Sequence, residues 1–339
     1  MSEGHVLIVG AGAIGGVIAA LMTGQVERVA VIDANAEHVA RLRSPGLVLD
    51  TDEDSRTVVI EAYESAAQVS GSFEFGLVTV KAEHLEDAVA PVVARGLAET
   101  YVSLGNGLVQ DRVSALAGAD RLIAGTVELG ATNLGPGHVR RTTSNPFVIG
   151  ELDGAPRGRV ARLARLLETV DGVRVTNNIT GQIWSKLLVN STFSGLGVVG
   201  GGLYRDVAAD PVGRRALAAV WDEGYRIGVR QGLDLEHVLG IEPEELAAHG
   251  EGEGDDARRG RAIDTVIGLA GATRASMLQD VERGVATEVD VINGAVVDRA
   301  ARMGLQAPRN QAIVELVHSF ERGERRPSPE HYARVLEAA

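Results

Sequence analysis

Between His5 and Asp33 the chain reads as strand, tight turn, helix and second strand. His5-Val6-Leu7-Ile8-Val9 is a short apolar run, Gly10-Ala11-Gly12-Ala13-Ile14-Gly15 follows directly, and Val17-Ile18-Ala19-Ala20-Leu21-Met22 is apolar again. A strand running into G-x-G-x-x-G and then a helix opens a dinucleotide-binding βαβ unit. In that unit Gly10 supplies the turn, Gly12 lets the backbone approach a pyrophosphate, and Gly15 lets the helix pack on the strand. The phosphates would lie against the helix N-terminus, at Ala13 and Ile14. With 42 glycines in the chain the spacing alone is weak, so its context matters. Arg28-Val29-Ala30-Val31-Ile32 is a second apolar run ending at Asp33, 23 positions after Gly10. The fingerprint calls for an acid about 20 residues on, bonded to the adenosine ribose. A carboxylate there accepts from a free 2′-OH and repels a 2′-phosphate, which favours NAD. Arg41 and Arg43 keep NADP as the alternative, and a solvated strand-end Asp is the plainer reading of Asp33.

The 339 residues suffice for two domains, and an apolar fraction of 45% supports ordinary cores. A net charge of −13 argues against nucleic acid as a partner. The absence of cysteine excludes disulfides, Cys-ligated metals and a thiol nucleophile, and it fits a reducing cytoplasm. No basic region followed by an apolar stretch opens the chain, and no apolar run approaches the roughly 20 residues of a membrane helix. These features lead us to expect a cytoplasmic protein without a membrane segment. The eight histidines show no metal-ligand spacing, so no metal is expected. Of 33 Lys and Arg residues only Lys81 and Lys186 are lysines. A lysine kept in so arginine-rich a chain suggests a task arginine cannot perform, such as giving up a proton or acting as a compact charge.

Residues 47 to 62 alternate apolar and polar positions around Asp50-Thr51-Asp52-Glu53-Asp54, as in a hairpin. Phe75 to Val80 reads as a buried strand with Lys81 at its C-terminal end, the edge where open α/β sheets bind ligands. A helix over 84–95, a strand over 101–104 and Gly105-Asn106-Gly107 follow. Asn106 is either the turn-former of an Asn-Gly pair or a cleft residue. Strands joined by turns occupy 122–150, and a helix over 156–169 with a strand over 173–175 completes the α/β part. The remainder is helical in pattern. The expected fold is α/β, with a Rossmann domain over 1–177 and an all-helical substrate and catalytic domain over 178–339.

Lys186, Asn190 and Ser194 are spaced i, i+4, i+8, a polar stripe on a mostly apolar helix, and such a stripe needs partners or a ligand. Gly195, Gly197 and Gly200-Gly201-Gly202 should then break the helix and leave room for an approaching group. Helices are expected around 212–232 and 261–282, separated by an acidic glycine-rich surface loop over 250–256. Thr287-Glu288-Val289-Asp290 starts another helix, with Thr287 as N-cap.

With these pieces in order the chain resembles the ketopantoate reductase family over nearly its full length. The resemblance is carried by Gly10 to Gly15, Val80-Lys81-Ala82, Asn106-Gly107, Lys186-Leu187-Leu188-Val189-Asn190, Ser276 to Glu282 and Thr287 to Gly294. It implies a Rossmann domain followed by a helical domain with the active site between them, and hydride transfer from a nicotinamide to the keto carbon of a 2-oxo acid. It also implies that Lys186 is the general acid, that Asn190 and Ser276 bind substrate, that Asn106 lines the nicotinamide side, that Lys81 contacts cofactor, and that Glu288 lies near the lysine and the ribose. A homodimer is a family expectation. Ser194 and Thr273 stand where the family has asparagines, so both are candidate substrate residues of altered specificity. Ketopantoate is the default substrate. A bulkier 2-hydroxy acid or biosynthetic ketone, and a non-catalytic NAD-binding sensor, are the alternatives.

Overall fold

The computed structural model describes residues 2–248 and 252–338. Two compact units divide the chain, Met1–Gly105 with Val109–Ile179, and Asn106–Leu108 with Thr180–Ala339.

The first unit is built on two sheets. Its strands are β1 (Ser2–Val9), β2 (Val26–Ile32), β3 (Leu47–Asp50), β4 (Ser55–Val58), β5 (Glu61–Tyr63), β6 (Phe73–Val78), β7 (Ala98–Ser103), β8 (Leu122–Val127), β9 (Ala131–Gly135), β10 (His138–Arg141), β11 (Phe147–Glu151) and β12 (Val173–Val175). The main sheet has the order β12-β11-β8-β7-β6-β1-β2-β5 and is parallel except for the β8–β11 pair. The smaller sheet, β4-β3-β10-β9, contains the expected hairpin over 47–58, in which β3 and β4 pair antiparallel, whereas residues 61 and 62 belong to β5 of the main sheet. The helices are α1 (Ala13–Met22), α2 (Ala36–Arg43), α3 (Leu85–Ala94), α4 (Val109–Ala117) and α5 (Gly158–Leu167). Val6, Leu7, Ile8 and Val9 are all 0% exposed, which is why β1 reads as an unbroken apolar run rather than an alternating one. The chain builds outward from β1 through β2 to β5 and then returns to add β6 on the other side. The topological switch point therefore lies between β1 and β6, and the C-terminal ends of these two strands define the edge where such sheets take ligands.

The second unit comprises α6 (Ile179–Val189), α7 (Gly195–Gly200), α8 (Tyr204–Ala209), α9 (Pro211–Arg230), α10 (Pro243–Leu246), α11 (Glu253–Ala270), α12 (Ser276–Arg283), α13 (Val289–Arg302), α14 (Pro308–Glu321) and α15 (His331–Glu337); α6 opens on the last residue of the first unit. Trp184, Phe193, Trp221 and Tyr332 anchor its core. The long α9 starts sharply because Asp210 accepts from the amides of Val212 and Gly213 and Pro211 has no N–H that needs an acceptor.

Several expectations are corrected. The helix expected over 261–282 is two helices, because Thr273 and Arg274 pair with the 203–204 segment before α12 begins. Of the expected 250–256 loop, Gly250 and Glu251 lie outside the described residues, whereas Gly252 caps α11 and residues 253–256 form its first turn. The strand before Lys81 ends at Val78 rather than Val80. Among the described residues no helix is long and apolar enough to cross a membrane.

Candidate active site

At the switch point each glycine of the G-x-G-x-x-G stretch has a distinct environment. Gly10 has φ +98°, and a Cβ there would stand 2.6 Å from Val80 Cγ1. At Gly15 a Cβ would fall 1.9 Å from the Gly10 carbonyl oxygen and 2.5 Å from Thr79 Oγ1, so α1 can sit this close to β1 only without a side chain. Gly12 has nothing within 4 Å of the same position. It is the N-cap of α1, and no side chain caps that helix, so the first-turn amides, at Ala13 and Ile14 as well, form an anion-binding end beside open space. Thr79 donates from Oγ1 to the Gly10 carbonyl at 2.7 Å and fastens the loop to the end of β6. Lys81 follows two residues later, half-buried.

Asp33 directly follows β2 and is half-buried. Its Oδ2 accepts from the Ala11 amide and its Oδ1 from the Asn35 amide, both at 2.9 Å. Each oxygen keeps a second acceptor site, which suits a ribose hydroxyl. Arg43 donates from Nε to the Ala62 carbonyl at 2.7 Å, and exposed Arg41 pairs with Glu37. These residues fit a dinucleotide: a glycine cradle for phosphates beside an acid for the ribose.

In the second unit the Lys186 helix departs from the expected regular stripe. Residues Asn190–Ser194 form a π-turn between α6 and α7. Lys186 and Asn190, both half-buried, still stand one turn apart, and Ser194 closes the π-turn that follows. Ser194 is 6% exposed, and its hydroxyl bonds to that of Tyr204 at 2.6 Å. The Tyr204 amide in turn donates to the Thr273 carbonyl, while the Thr273 side chain is exposed. Ser276 is the exposed first residue of α12. Gly195 and Gly197 do not break the helix, since α7 runs from Gly195 to Gly200, whereas Gly201, at φ +75°, ends it. Their space is filled by the chain itself: a Cβ on Gly200 would stand 1.7 Å from Tyr332 Oη, and one on Gly195 would stand 3.1 Å from Asn293 Nδ2.

Asn106 and Glu288 meet directly, Asn106 Nδ2 donating to Glu288 Oε2 at 2.9 Å. The approach depends on Gly107, whose φ is +69° and whose Cβ would lie 1.8 Å from the Val291 carbonyl oxygen. Glu288, not Thr287, is the N-cap of α13, and Thr287 accepts from the Val289 amide through its hydroxyl. Behind this site Asn293, fully buried, donates to the Ser191 carbonyl inside the π-turn at 2.8 Å and to Asn310 Oδ1 at 3.0 Å. Asn310 and Arg309 converge on buried Glu223. Among the described residues no group of His, Asp and Glu could hold a metal ion.

His318 braces the segment that leads into Glu288. Its Nδ1 faces Glu321 Oε2 at 2.8 Å and its Nε2 faces Asp290 Oδ1 at 2.9 Å, and Glu321 also accepts from the Thr287 amide. Burial works against the charged ring, but the bonds to Glu321 and Asp290 outweigh it and raise the imidazole above its ordinary pKa. Only the imidazolium can donate to both carboxylates. Its stabilisation is therefore complete below the unfolded-state pKa and disappears as pH rises through the higher folded-state value. The stability gap between the parent and His318→Gln, measured by chemical denaturation, should be widest near about pH 6 and narrow as pH rises above the ordinary imidazole range. A gap independent of pH would contradict the ion pairs.

Sequence reasoning missed Thr79, Tyr204, Asn293 and His38, which bonds to the glycine loop. Asn293 did leave a signal, because it interrupts the apolar face Val289, Ile292, Val296 at helical spacing. Thr79 left none, since its partner Gly10 is 69 residues away, and Tyr204 left none, since Ser194 lies on another element across the turn at Gly201.

Two family models match the chain: Ketopantoate reductase PanE/ApbA over residues 6–154, and the C-terminal model of the same family over residues 178–321. Among relatives, the 2-dehydropantoate 2-reductase of Halobacterium salinarum is 25% identical over 94% of this chain and 99% of its own length. That of Archaeoglobus fulgidus is 28% identical over 73% and 76%. Among solved structures, the PanE/ApbA family ketopantoate reductase from Ralstonia eutropha superposes with a TM-score of 0.79 at 24% identity, covering 94% of this chain and 99% of the other. D-mandelate dehydrogenase with NADH and anilino(oxo)acetate gives the same TM-score at 21% identity, with the same coverage. These two structural likenesses establish the fold.

Proposed function

Because the chain belongs to the ketopantoate reductase family of oxidoreductases acting on CH–OH groups, we propose that it reduces a 2-oxo acid to the 2-hydroxy acid with NADH, Lys186 giving the proton. The observation that carries this reading is the glycine cradle, open at Gly12 and flanked by Asp33. The bound dinucleotide would supply the hydride. Gly10, Gly12, Ala13, Ile14 and Gly15 would hold its phosphates, Asp33 its ribose, and Lys81 and Asn106 further parts of it. Negative charge developing on the carbonyl oxygen is stabilised by the Lys186 ammonium, which then delivers its proton to that oxygen. Arginine at this place would stabilise the charge but scarcely donate. Asn190 and Ser276 hold the acid's polar groups, and Glu288, fixed by Asn106, orients the lysine and cofactor ribose.

The preference for NADH follows from Asp33, whose two oxygens already face backbone amides and would meet a 2′-phosphate as one anion meets another. Dissociation constants measured by nucleotide fluorescence should favour NADH over NADPH by roughly tenfold or more. A preference for NADPH would overturn this assignment while leaving the reductase reading intact.

Ketopantoate is the default substrate. A second reading, a larger 2-oxo acid, is favoured by Ser194, whose buried hydroxyl is already engaged by Tyr204. Oxidation of NADH followed at 340 nm with ketopantoate and a panel of branched and aromatic 2-oxo acids tests both. Fast turnover of ketopantoate supports the first, and turnover of bulkier acids alone supports the second. Silence throughout, with dinucleotide still bound, would replace both with a non-catalytic sensor.

A further inference from the structure

Ala11, between the two loop glycines, is held from both sides. Its amide donates to Asp33 Oδ2, and its carbonyl stands 2.9 Å from Nε2 of His38, a residue of α2 that is 4% exposed. The other ring nitrogen of His38, Nδ1, accepts from the Gly137 amide at 2.8 Å. A backbone N–H can only donate, so Nδ1 carries no proton, and the single ring proton sits on Nε2 and is donated to the Ala11 carbonyl. The arrangement needs Gly137 as well. Its φ is +73°, and a Cβ there would lie 2.6 Å from Arg41 Cβ on α2, so the turn comes close enough to reach His38 only without a side chain.

A peptide unit is planar, so fixing one of its groups fixes the other. The Gly10–Ala11 unit is set by Asp33 at its N–H and by Thr79 Oγ1 at its C=O. The Ala11–Gly12 unit is trans, and His38 holds its C=O, which turns the Gly12 N–H to the opposite side. Gly12 is also the residue whose side-chain position is open.

We propose that His38 is a positioning residue for the dinucleotide: as the Nε2–H tautomer it fixes the Ala11–Gly12 peptide so that the Gly12 amide is aimed at the phosphates. This rests on the cofactor reading given above. His38 is buried and bonds the loop itself, so its effect passes through the loop peptide.

Two amide substitutions separate the two ring bonds. In His38→Gln the side-chain Nε2 reaches the place of the ring Nε2 and keeps the bond to Ala11. In His38→Asn the Oδ1 takes the place of Nδ1, keeps the bond to Gly137 and releases Ala11. Titration of NADH fluorescence should show His38→Gln within about threefold of the parent and His38→Asn weaker by roughly tenfold or more, with both folded by circular dichroism. Two folded variants with equal affinities would overturn the proposal and leave the cofactor reading standing. A parent protein that binds neither NADH nor NADPH would overturn both. A measurement on the parent alone removes dependence on the variants' folding. Ring ¹⁵N shifts of ¹⁵N-histidine-labelled protein at about pH 8 should report His38, identified as the signal missing from His38→Gln, as the Nε2–H tautomer. An Nδ1–H tautomer would overturn the proposal whichever variants fold.

Discussion

Replacing Lys186 by methionine is expected to lower kcat by about 10²- to 10⁴-fold, the range typical of losing a positioned general acid. Methionine keeps an unbranched apolar stem of similar length and removes only the ammonium, so α6 should remain packed through Trp184, Leu187 and Leu188. The dissociation constant for NADH should stay within about threefold, because the glycine cradle and Asp33 belong to the first unit. Lys186→Arg is the sharper control. It restores a positive charge but, because a guanidinium stays protonated, not a ready proton, so it should recover substrate affinity more than kcat. Full activity in Lys186→Met would remove the lysine from the mechanism. Loss of NADH binding together with activity would mean that the substitution acts through the fold.

The second large effect is expected at Gly15. In Gly15→Ala the new methyl would lie 1.9 Å from the Gly10 carbonyl oxygen and 2.5 Å from Thr79 Oγ1. Neither neighbour is the free end of a flexible side chain: one is backbone, and the other is held by its bond to that same carbonyl. Helix α1 must therefore move away from β1, and overpacking of this kind costs about 1–3 kcal/mol. The melting temperature should fall, and NADH affinity should fall further than stability alone explains, since the displaced turn carries the phosphate amides. Gly12→Ala is the matched control. With nothing within 4 Å of its Cβ, it should leave the melting temperature nearly unchanged and weaken only dinucleotide binding. Equal stability of Gly15→Ala and the parent would contradict the close helix–strand approach.

The parts of the fold that were legible in the sequence are those dictated by short-range rules. The strand, turn and helix from His5 to Met22 follow from an apolar run meeting three spaced glycines, and the hairpin over 47–58 follows from alternation around polar turn residues. The π-turn at 190–194 was not legible. One extra residue per turn changes no local preference, and the turn is tied to Asn293, a partner about a hundred residues away. The same holds for the glycines after Ser194. Sequence shows that room is needed there, but Tyr332 and Asn293, which fill it, arrive from later helices. The Asn106 and Glu288 contact joins residues 182 apart, so periodicity could not have paired them. Asp33 lay between these cases, since its spacing from Gly10 marked it, while its bonds to the Ala11 and Asn35 amides required the folded loop.

The central claim is a hydride moving between nicotinamide and the keto carbon of a 2-oxo acid, and isotope transfer tests it most directly. The protein would be incubated with ketopantoate, or with whichever 2-oxo acid turns over fastest, and with NADH deuterated at C4 of the nicotinamide on either face in separate reactions. One of the two should give a 2-hydroxy acid carrying deuterium at C2, and the other should give unlabelled product. A 2-hydroxy acid unlabelled from both reactions, or no product from any acid while the dinucleotide stays bound, would contradict the claim.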